Sequence, residues 1–584
     1  MMANTYIEGC SFRFIKGGKV LKTFYTEKLD FRNSEVIEKE FKILLDAKID
    51  SAEELENWLR QQSKLYDALQ EGLNGHYIQF QCQSDSENAK AAYEHDQQSI
   101  QPLFKKYKAL LDEKFYQSPY RLELDQSYYG LLNQRIKNAM DLFRQENIAL
   151  EIKEDRLSTN YFEHTGSLTV EWEGKEKPLS QIYPYLQDSD RSIRQKAMTA
   201  IFEKMETKSD QLQTILSELI QIRQKKAENA GLANFRDYMF KKYERFDYTP
   251  EDCKELAESV RKYVVPLKEE IERKQKERLN VDTYRPWDMR GVPADKKPLK
   301  PFENVDRLIT GVAAIFGNLD PRFAGLLGAM NDKGMLDLES RKGKAPGGFC
   351  ESLPLSGHSF IFMNAAGTQY DVATLLHEMG HCIHDYLKKD IIPSQYKDIP
   401  MESAELASMS MELMTMDRWD EFYSNPEELI QAKKDQLEDI IRFLPHGVII
   451  DQFQHWLYEH PEHTATERSQ KYKELTERFD SSFTDWSGYE DWMANHWQAV
   501  LHIFEVPFYY IEYVIAQLGA VQMYKQYKEN PEQAVENYKK ALSLGSTKSL
   551  TEVYEAAGIR FDFSGDTIKE LMAFVAQELD ELEN

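Results

Sequence analysis

Thr374-Leu-Leu-His-Glu-Met-Gly-His-Cys-Ile-His-Asp-Tyr-Leu387 carries the pattern His-Glu-x-x-His inside a segment of helical periodicity. Positions four apart on a helix lie nearly over one another, so the imidazoles of His377 and His381 can reach one ion from a single face. Glu378 is offset from that pair. It is too close to them to be a comfortable ligand, yet placed to take a proton from a water held at the ion. Chance alone would put the pattern in roughly two or three of a hundred sequences of this composition, so the surroundings matter. Leu375, Leu376, Met379, Ile383 and Leu387 give the helix an apolar side, and burying uncoordinated His and Glu beside them would cost solvation with nothing gained. The stretch therefore reads as half a zinc site with its general base.

A catalytic zinc takes three protein ligands and keeps one position open. His384 follows three residues after His381, but one turn further along a straight helix it would lie too far from an ion held between the first two. It is expected to pack or to support the ligands. Glu405 is the stronger candidate, in Met401-Glu-Ser-Ala-Glu-Leu-Ala-Ser-Met-Ser-Met-Glu-Leu-Met414, a second helical stretch whose apolar and small residues suit burial. Glu405 and Glu412 are seven apart and so share a face. Pro393 and Pro400 break the chain between the two helices and allow the second to fold back beside the first. The competing reading of Glu402, Glu405 and Glu412 is a solvated acidic stripe, which the density of Met and Leu opposes.

Taken together, His377, Glu378, His381 and a Glu on a second helix resemble the M3 metallopeptidases, the family of thimet oligopeptidase and oligoendopeptidase F. Gly343-Lys-Ala-Pro-Gly-Gly-Phe-Cys-Glu-Ser-Leu-Pro354 and His358-Ser-Phe-Ile-Phe-Met-Asn364 are similar to the oligoendopeptidase F and Pz-peptidase branch. The likeness continues through His502 and Pro507-Phe-Tyr-Tyr-Ile-Glu-Tyr513, is strong from about residue 190 onward and is weaker before. The resemblance implies a mainly α-helical, two-part body with a deep substrate channel and a small β-sheet beside the zinc helix. It also implies one zinc per chain and hydrolysis of short peptides, with an endopeptidase as the leading reading and a dipeptide-releasing carboxypeptidase as the alternative.

Composition sets the outer limits. A chain of 584 residues with 41% apolar and 12% aromatic residues can bury an ample core. Its net charge of −25 disfavours nucleic acid, whose phosphates it would repel. No secretory signal opens the sequence and no run of eighteen apolar residues occurs, so a cytoplasmic protein without a membrane span is expected. Five scattered cysteines with no Cys-x-x-Cys argue for neither a disulfide framework nor a thiolate zinc site. Cys350 and Cys382 are expected to be inert reduced thiols.

Residues 1–185 are expected to form an N-terminal helical subdomain and 186–584 the zinc-peptidase catalytic domain. Within the first, Ser51 to Gly75 has helical spacing, and Phe162 to Trp172 reads as a strand with a hairpin closing at Gly174. Long amphipathic helices follow from Asp188 to Lys242, broken near Gly231, and from Glu251 to Leu279. Asn280 to Lys300, rich in Pro and Gly, reads as a surface connection, after which helices run from Asn304 to Met330.

Arg341-Lys-Gly-Lys-Ala-Pro-Gly-Gly-Phe349 lacks the Gly-Lys-Ser/Thr ending of a phosphate-binding loop. Ser359 to Asn364 then reads as a strand whose free backbone edge could pair with an extended peptide, with Gly347, Gly348, Phe360 and Phe362 as substrate contacts. His455, His460 and His463 form a rival cluster, but Pro461 interrupts any helix and the spacing does not stack the rings. A packed His455 with exposed His460 and His463 is expected.

Attack on a peptide carbonyl creates an oxyanion, which a Tyr hydroxyl or a His ring can stabilise. A helix starting at His502 would place Tyr509 and Tyr513 on its face, although Pro507 stands in the way. The family's Tyr-rich segment, with two functional Tyr three apart, maps instead onto Tyr510 and Tyr513. Both alignments stay open, with His502, Tyr510 and Tyr513 as catalytic candidates and Tyr509 as a substrate contact. Asn530 to Gly545 looks like one tetratricopeptide helix, which would make a peptide-binding solenoid the rival class. No second copy follows at a fixed period.

Overall fold

The computed structural model describes residues 24–583, together with the backbone of two short antiparallel strands, β1 (Phe14–Lys16) and β2 (Lys19–Leu21). Helices account for most of it, and side-chain caps mark many of their starts. Ser51 accepts from the Glu54 N–H at 3.1 Å to open the 31-residue helix Ala52–Cys82, and Asn304 and Asn530 cap later helices in the same way. Such caps satisfy N–H groups that the first helical turn leaves without partners.

The chain divides into two compact units, each assembled from separate segments. The first comprises Met1–Gln145, Lys300–Leu429 and Gly519–Phe561; the second comprises Glu146–Leu299, Ile430–Leu518 and Asp562–Asn584.

In the second unit the hairpin expected at Gly174 is present as β3 (Thr169–Trp172) and β4 (Lys175–Pro178), turning through Glu173 and Gly174 at φ 55° and 74°. Its first strand is shorter than the sequence suggests, because the helix Gln145–Gly166 continues through Phe162. Trp172 is buried against Leu168, Ile182 and Ala197. The break near Gly231 separates helices Ser209–Asn229 and Phe235–Lys242, and Gly231 takes φ 76° there.

Asn280 to Lys300 departs from the surface connection expected of it. Trp287 is 5% exposed and Asp288 is fully buried, held by Arg194 at 2.8 Å and Arg191 at 2.7 Å. A long-range ion pair anchors this irregular passage, and local composition carries no sign of such a pair.

In the first unit the helix Ala52–Cys82 contributes Trp58 and Leu69 to a core with Phe31, Phe41 and Leu111. A three-stranded sheet, β5 (Leu336–Glu339), β6 (Phe349–Leu353) and β7 (His358–Ala365), has the order β5-β7-β6, with β5 parallel and β6 antiparallel to β7. The strand expected at 359–364 is therefore real but central. Its two edges are both paired, so it cannot offer a free edge to a peptide.

Phe360 is 3% exposed with its ring 4.6 Å from that of Phe24, and Phe362 is fully buried and stacked on Phe349 at 4.7 Å. Both rings pack in the interior and are not exposed in the way a substrate contact requires. Gly347 and Gly348 lie exposed in the turn before β6, with Gly347 at φ 96°. Among the described residues no helix is long and apolar enough to cross a membrane.

Candidate metal centre

The histidine helix, Gln369–Lys388, begins at a reciprocal cap in which Thr368 Oγ1 accepts from the Asp371 N–H and Asp371 Oδ2 accepts from the Thr368 N–H at 2.8 Å. Beyond it, Met401–Met414 forms the glutamate helix with the boundaries its sequence suggests. The two pack closely at Gly380. A Cβ there would stand 2.5 Å from Ser408 Cα and 2.7 Å from Ala407 O, so only glycine permits this approach. Tyr538, on the helix Pro531–Leu542, donates to Ala407 O at 2.9 Å and fixes the glutamate helix from another side. That helix thus packs against the glutamate helix.

This packing brings one donor atom each from His377, His381 and Glu405 within 4.8 Å of one another. Glu405 Oε2 is 3.3 Å from His377 Nε2 and 3.8 Å from His381 Nε2, and the two rings stand nearly perpendicular with centroids 5.0 Å apart. Glu412, one face-repeat after Glu405, hydrogen-bonds the other ring nitrogen of His377 at 2.7 Å. A carboxylate there favours a proton on Nδ1 and turns Nε2 toward the shared point. Ser408 Oγ donates to Glu405 Oε2 at 3.0 Å and orients that carboxylate.

The electrostatics of this point favour a cation. Burial lowers the basicity of His377, but the carboxylates of Glu405 and Glu412, accepting from its ring, outweigh it and hold the ring well above its usual value. Burial brings His381 down to about 4, which favours a neutral ring able to ligate a cation. Two imidazoles and one carboxylate, with a position to spare, are the donor set of a catalytic zinc. His384 is 1% exposed and outside this group, and neither of its nitrogens has a hydrogen-bond partner among the described residues. It packs, as expected.

Glu378 is 7% exposed, and burial, reinforced by Glu405 and Glu412, pushes its carboxyl up to about 7. Cys382 Sγ is 3.5 Å from Cys350 Sγ, and both thiols are held above their usual range, consistent with protonated, unreactive groups. The role of Glu412 gives a direct test. Glu412→Gln should weaken zinc binding about 10- to 100-fold, read by competition with a chromophoric chelator. Unchanged affinity would show that His377 needs no such partner.

In the second unit the chain does not run as one helix from His502. A short helix, Leu501–Glu505, stops; Phe508 takes φ 66°; and a new helix starts at Tyr510. The turn is pinned by the Phe508 N–H donating to Gln454 Oε1 at 2.7 Å and by Arg245, which donates to Phe508 O and to Glu512 Oε1. His502, Tyr509, Tyr510 and Tyr513 nevertheless gather into one half-buried cluster. His502 Nε2 is 3.4 Å from Tyr513 Oη, and the His502 ring lies 5.0 Å from Tyr510 and 5.7 Å from Tyr509. The cluster comes from a kink in the backbone and not from a shared helical face.

His460 is exposed, while His463 is only half-buried, with Nε2 accepting from Arg468 Nε at 2.9 Å. His455 is separate from both and 2% exposed.

A helix pair presenting two His and one Glu to a shared point is a candidate metal centre, and comparison with known proteins specifies the class. The sequence profile of peptidase family M3 matches residues 184–573, and that of the peptidase M3 N-terminal domain matches residues 24–143. The chain belongs to peptidase family M3, in the branch of oligoendopeptidase F and Pz peptidase.

A solved structure of Pz peptidase A with an inhibitor superposes with TM-score 0.89 at 25% identity, covering 95% of this chain and 98% of that one. An oligoendopeptidase F homolog of Borreliella burgdorferi is 23% identical over 382 residues, 64% of this chain and 63% of that protein. Oligopeptidase PepF of Bacillus subtilis is 22% identical over 435 residues, 70% of this chain and 60% of its own length. The aligned part thus spans a little under two thirds of these two relatives.

Proposed function

We propose that the protein is a zinc-dependent endopeptidase of short, unstructured peptides, with His377, His381 and Glu405 as the zinc ligands and Glu378 as general base. The observation that carries this reading is the convergence of the three donor atoms within 4.8 Å, next to a buried carboxyl raised to about 7. One bound zinc per chain supplies Lewis acidity toward water and the scissile carbonyl. Glu378 takes the proton of the attacking water and delivers it to the leaving amine, two tasks that suit a group titrating near neutrality. His502, Tyr510 and Tyr513 supply donors to the developing oxyanion, and Tyr509 touches substrate.

Substrate recognition passes to the outer edge of β6. Asn74 donates to Ser352 O at 2.7 Å from the side away from β7, and main-chain groups alternate along a strand, so those of Cys350 face the same way. An extended peptide pairing with that edge would be read by its main chain, assisted by the exposed Gly347 and Gly348. Folded proteins do not present such a strand. The separate matches to 24–143 and 184–573 support reading residues 1–185 as an N-terminal subdomain and 186–584 as the catalytic domain. The acidic balance and scattered cysteines support a cytoplasmic setting without nucleic-acid partners.

Mass spectrometry of products from a mixture of unstructured peptides, half with blocked C-termini, tests the reading. Internal cuts in blocked peptides are expected, abolished by chelator and restored by zinc. Release of dipeptides from free C-termini alone would instead make it a carboxypeptidase. Binding without products would make it a peptide-binding helical protein.

A further inference from the structure

The second unit holds another convergence of ligand-type atoms. Cys253 lies on the helix Pro250–Tyr263, and Asp451 and His455 lie one turn apart on the helix Pro426–Glu459. One sulfur, one carboxylate oxygen and one ring nitrogen from these residues fall within 4.8 Å of one another. All three are interior, at 1%, 0% and 2% exposure.

The hydrogen bonding of Asp451 and His455 is incomplete in an informative way. His455 Nε2 is 3.2 Å from Asp451 Oδ2, yet the pair lies outside hydrogen-bond geometry. Neither ring nitrogen of His455, nor Asp451 Oδ1, has a hydrogen-bond partner among the described residues. Gln452 Nε2 donates to Asp451 Oδ2 at 3.0 Å, but no Lys or Arg pairs with this carboxylate among the described residues. The rings of Phe508 and Phe240, with centroids 5.5 and 6.0 Å from that of His455, add an apolar wall. A buried carboxylate and an adjacent imidazole with unused lone pairs are costly to leave so.

We infer that Cys253, Asp451 and His455 bind a second transition-metal ion, of the zinc class, distinct from the one at His377. The donor set selects the ion: thiolate and imidazole suit zinc, whereas magnesium and calcium prefer oxygen alone. Charge also balances, since a dication offsets one thiolate and one carboxylate beside a neutral ring. Binding releases the Cys253 thiol proton to solvent, so apparent affinity rises with pH. Three donors fill three of four tetrahedral positions and leave the fourth for a water. With no exposed face, the ion serves to staple the helix of Cys253 to that of Asp451 and His455.

Metal content and cobalt spectroscopy test this on the full chain. Protein loaded with excess zinc and dialysed against metal-free buffer should retain two equivalents. Loaded with cobalt(II), it should show thiolate-to-metal charge-transfer absorption in the near ultraviolet, which a centre of two His and one Glu does not give. Cys253→Ala and His455→Ala should each remove one equivalent and that absorption. Glu405→Ala should remove the other equivalent and leave the absorption in place. Absence of the thiolate band from the unaltered protein, or a band that survives Cys253→Ala, would each overturn the inference, whereas one equivalent with the band present would count against the centre at His377 and not against this one. The unaltered protein alone decides the matter should the variants fail to fold.

Discussion

Glu378→Gln is expected to leave zinc content and peptide binding intact while turnover falls at least about a thousandfold, the upper reach of acid–base effects. The substitution keeps the shape of a side chain that is 7% exposed, so the histidine helix and its cap need not move. It removes the one carboxyl near the centre that is outside the three converging donors and sits close to neutrality at about 7. Loss of a ligand would empty the site; loss of the base should not. Parallel measurement of metal content and of single-turnover rates separates the two. A Gln variant that retains a tenth of normal turnover with zinc bound would remove Glu378 from the mechanism.

The centre was largely legible because its parts obey local rules. Two His one turn apart need only a helix, and Glu405 stood out as an acid among Met, Leu and Ala. What stayed hidden depends on how helices meet. That Glu412 holds the second nitrogen of His377, and that Gly380 leaves room for the glutamate helix where any Cβ would meet Ser408 Cα at 2.5 Å, follow from a packing geometry that no single segment encodes. The Gly inside the His-Glu-x-x-His pattern was the available signal, since glycine in a helix interior is costly without a close neighbour.

The central place of β7 in its sheet differs from the edge expected of it for a similar reason. Phe360-Ile-Phe-Met363 is apolar at every position, which means both faces are buried and suits a central strand better than an edge. The partners that cover it, β5 and β6, are too short and too polar to announce themselves. The buried pairing of Asp288 with Arg194, and the grouping of His455 with Cys253, join residues far apart in sequence. No periodicity reports such contacts.

Tyr513→Phe is expected to lower kcat about 100- to 1,000-fold, the cost of losing one oxyanion donor, with KM and zinc content little changed. The change deletes only a hydroxyl, and that hydroxyl lies 3.4 Å from His502 Nε2, close enough for the ring to orient it. An interaction made mainly in the transition state depresses turnover more than it weakens binding. The backbone kink at Phe508, with φ 66°, bears on which neighbour assists. It breaks the single helix that would have set Tyr509 and Tyr513 on one face with His502. Tyr510 opens the new helix and stands three residues before Tyr513, the spacing that the family resemblance implies. Tyr510→Phe is therefore expected to be the more damaging partner, and Tyr509→Phe to raise KM with a smaller effect on kcat. Should all three Phe variants keep near-normal turnover, the cluster serves only to pack, and the oxyanion is stabilised by groups elsewhere.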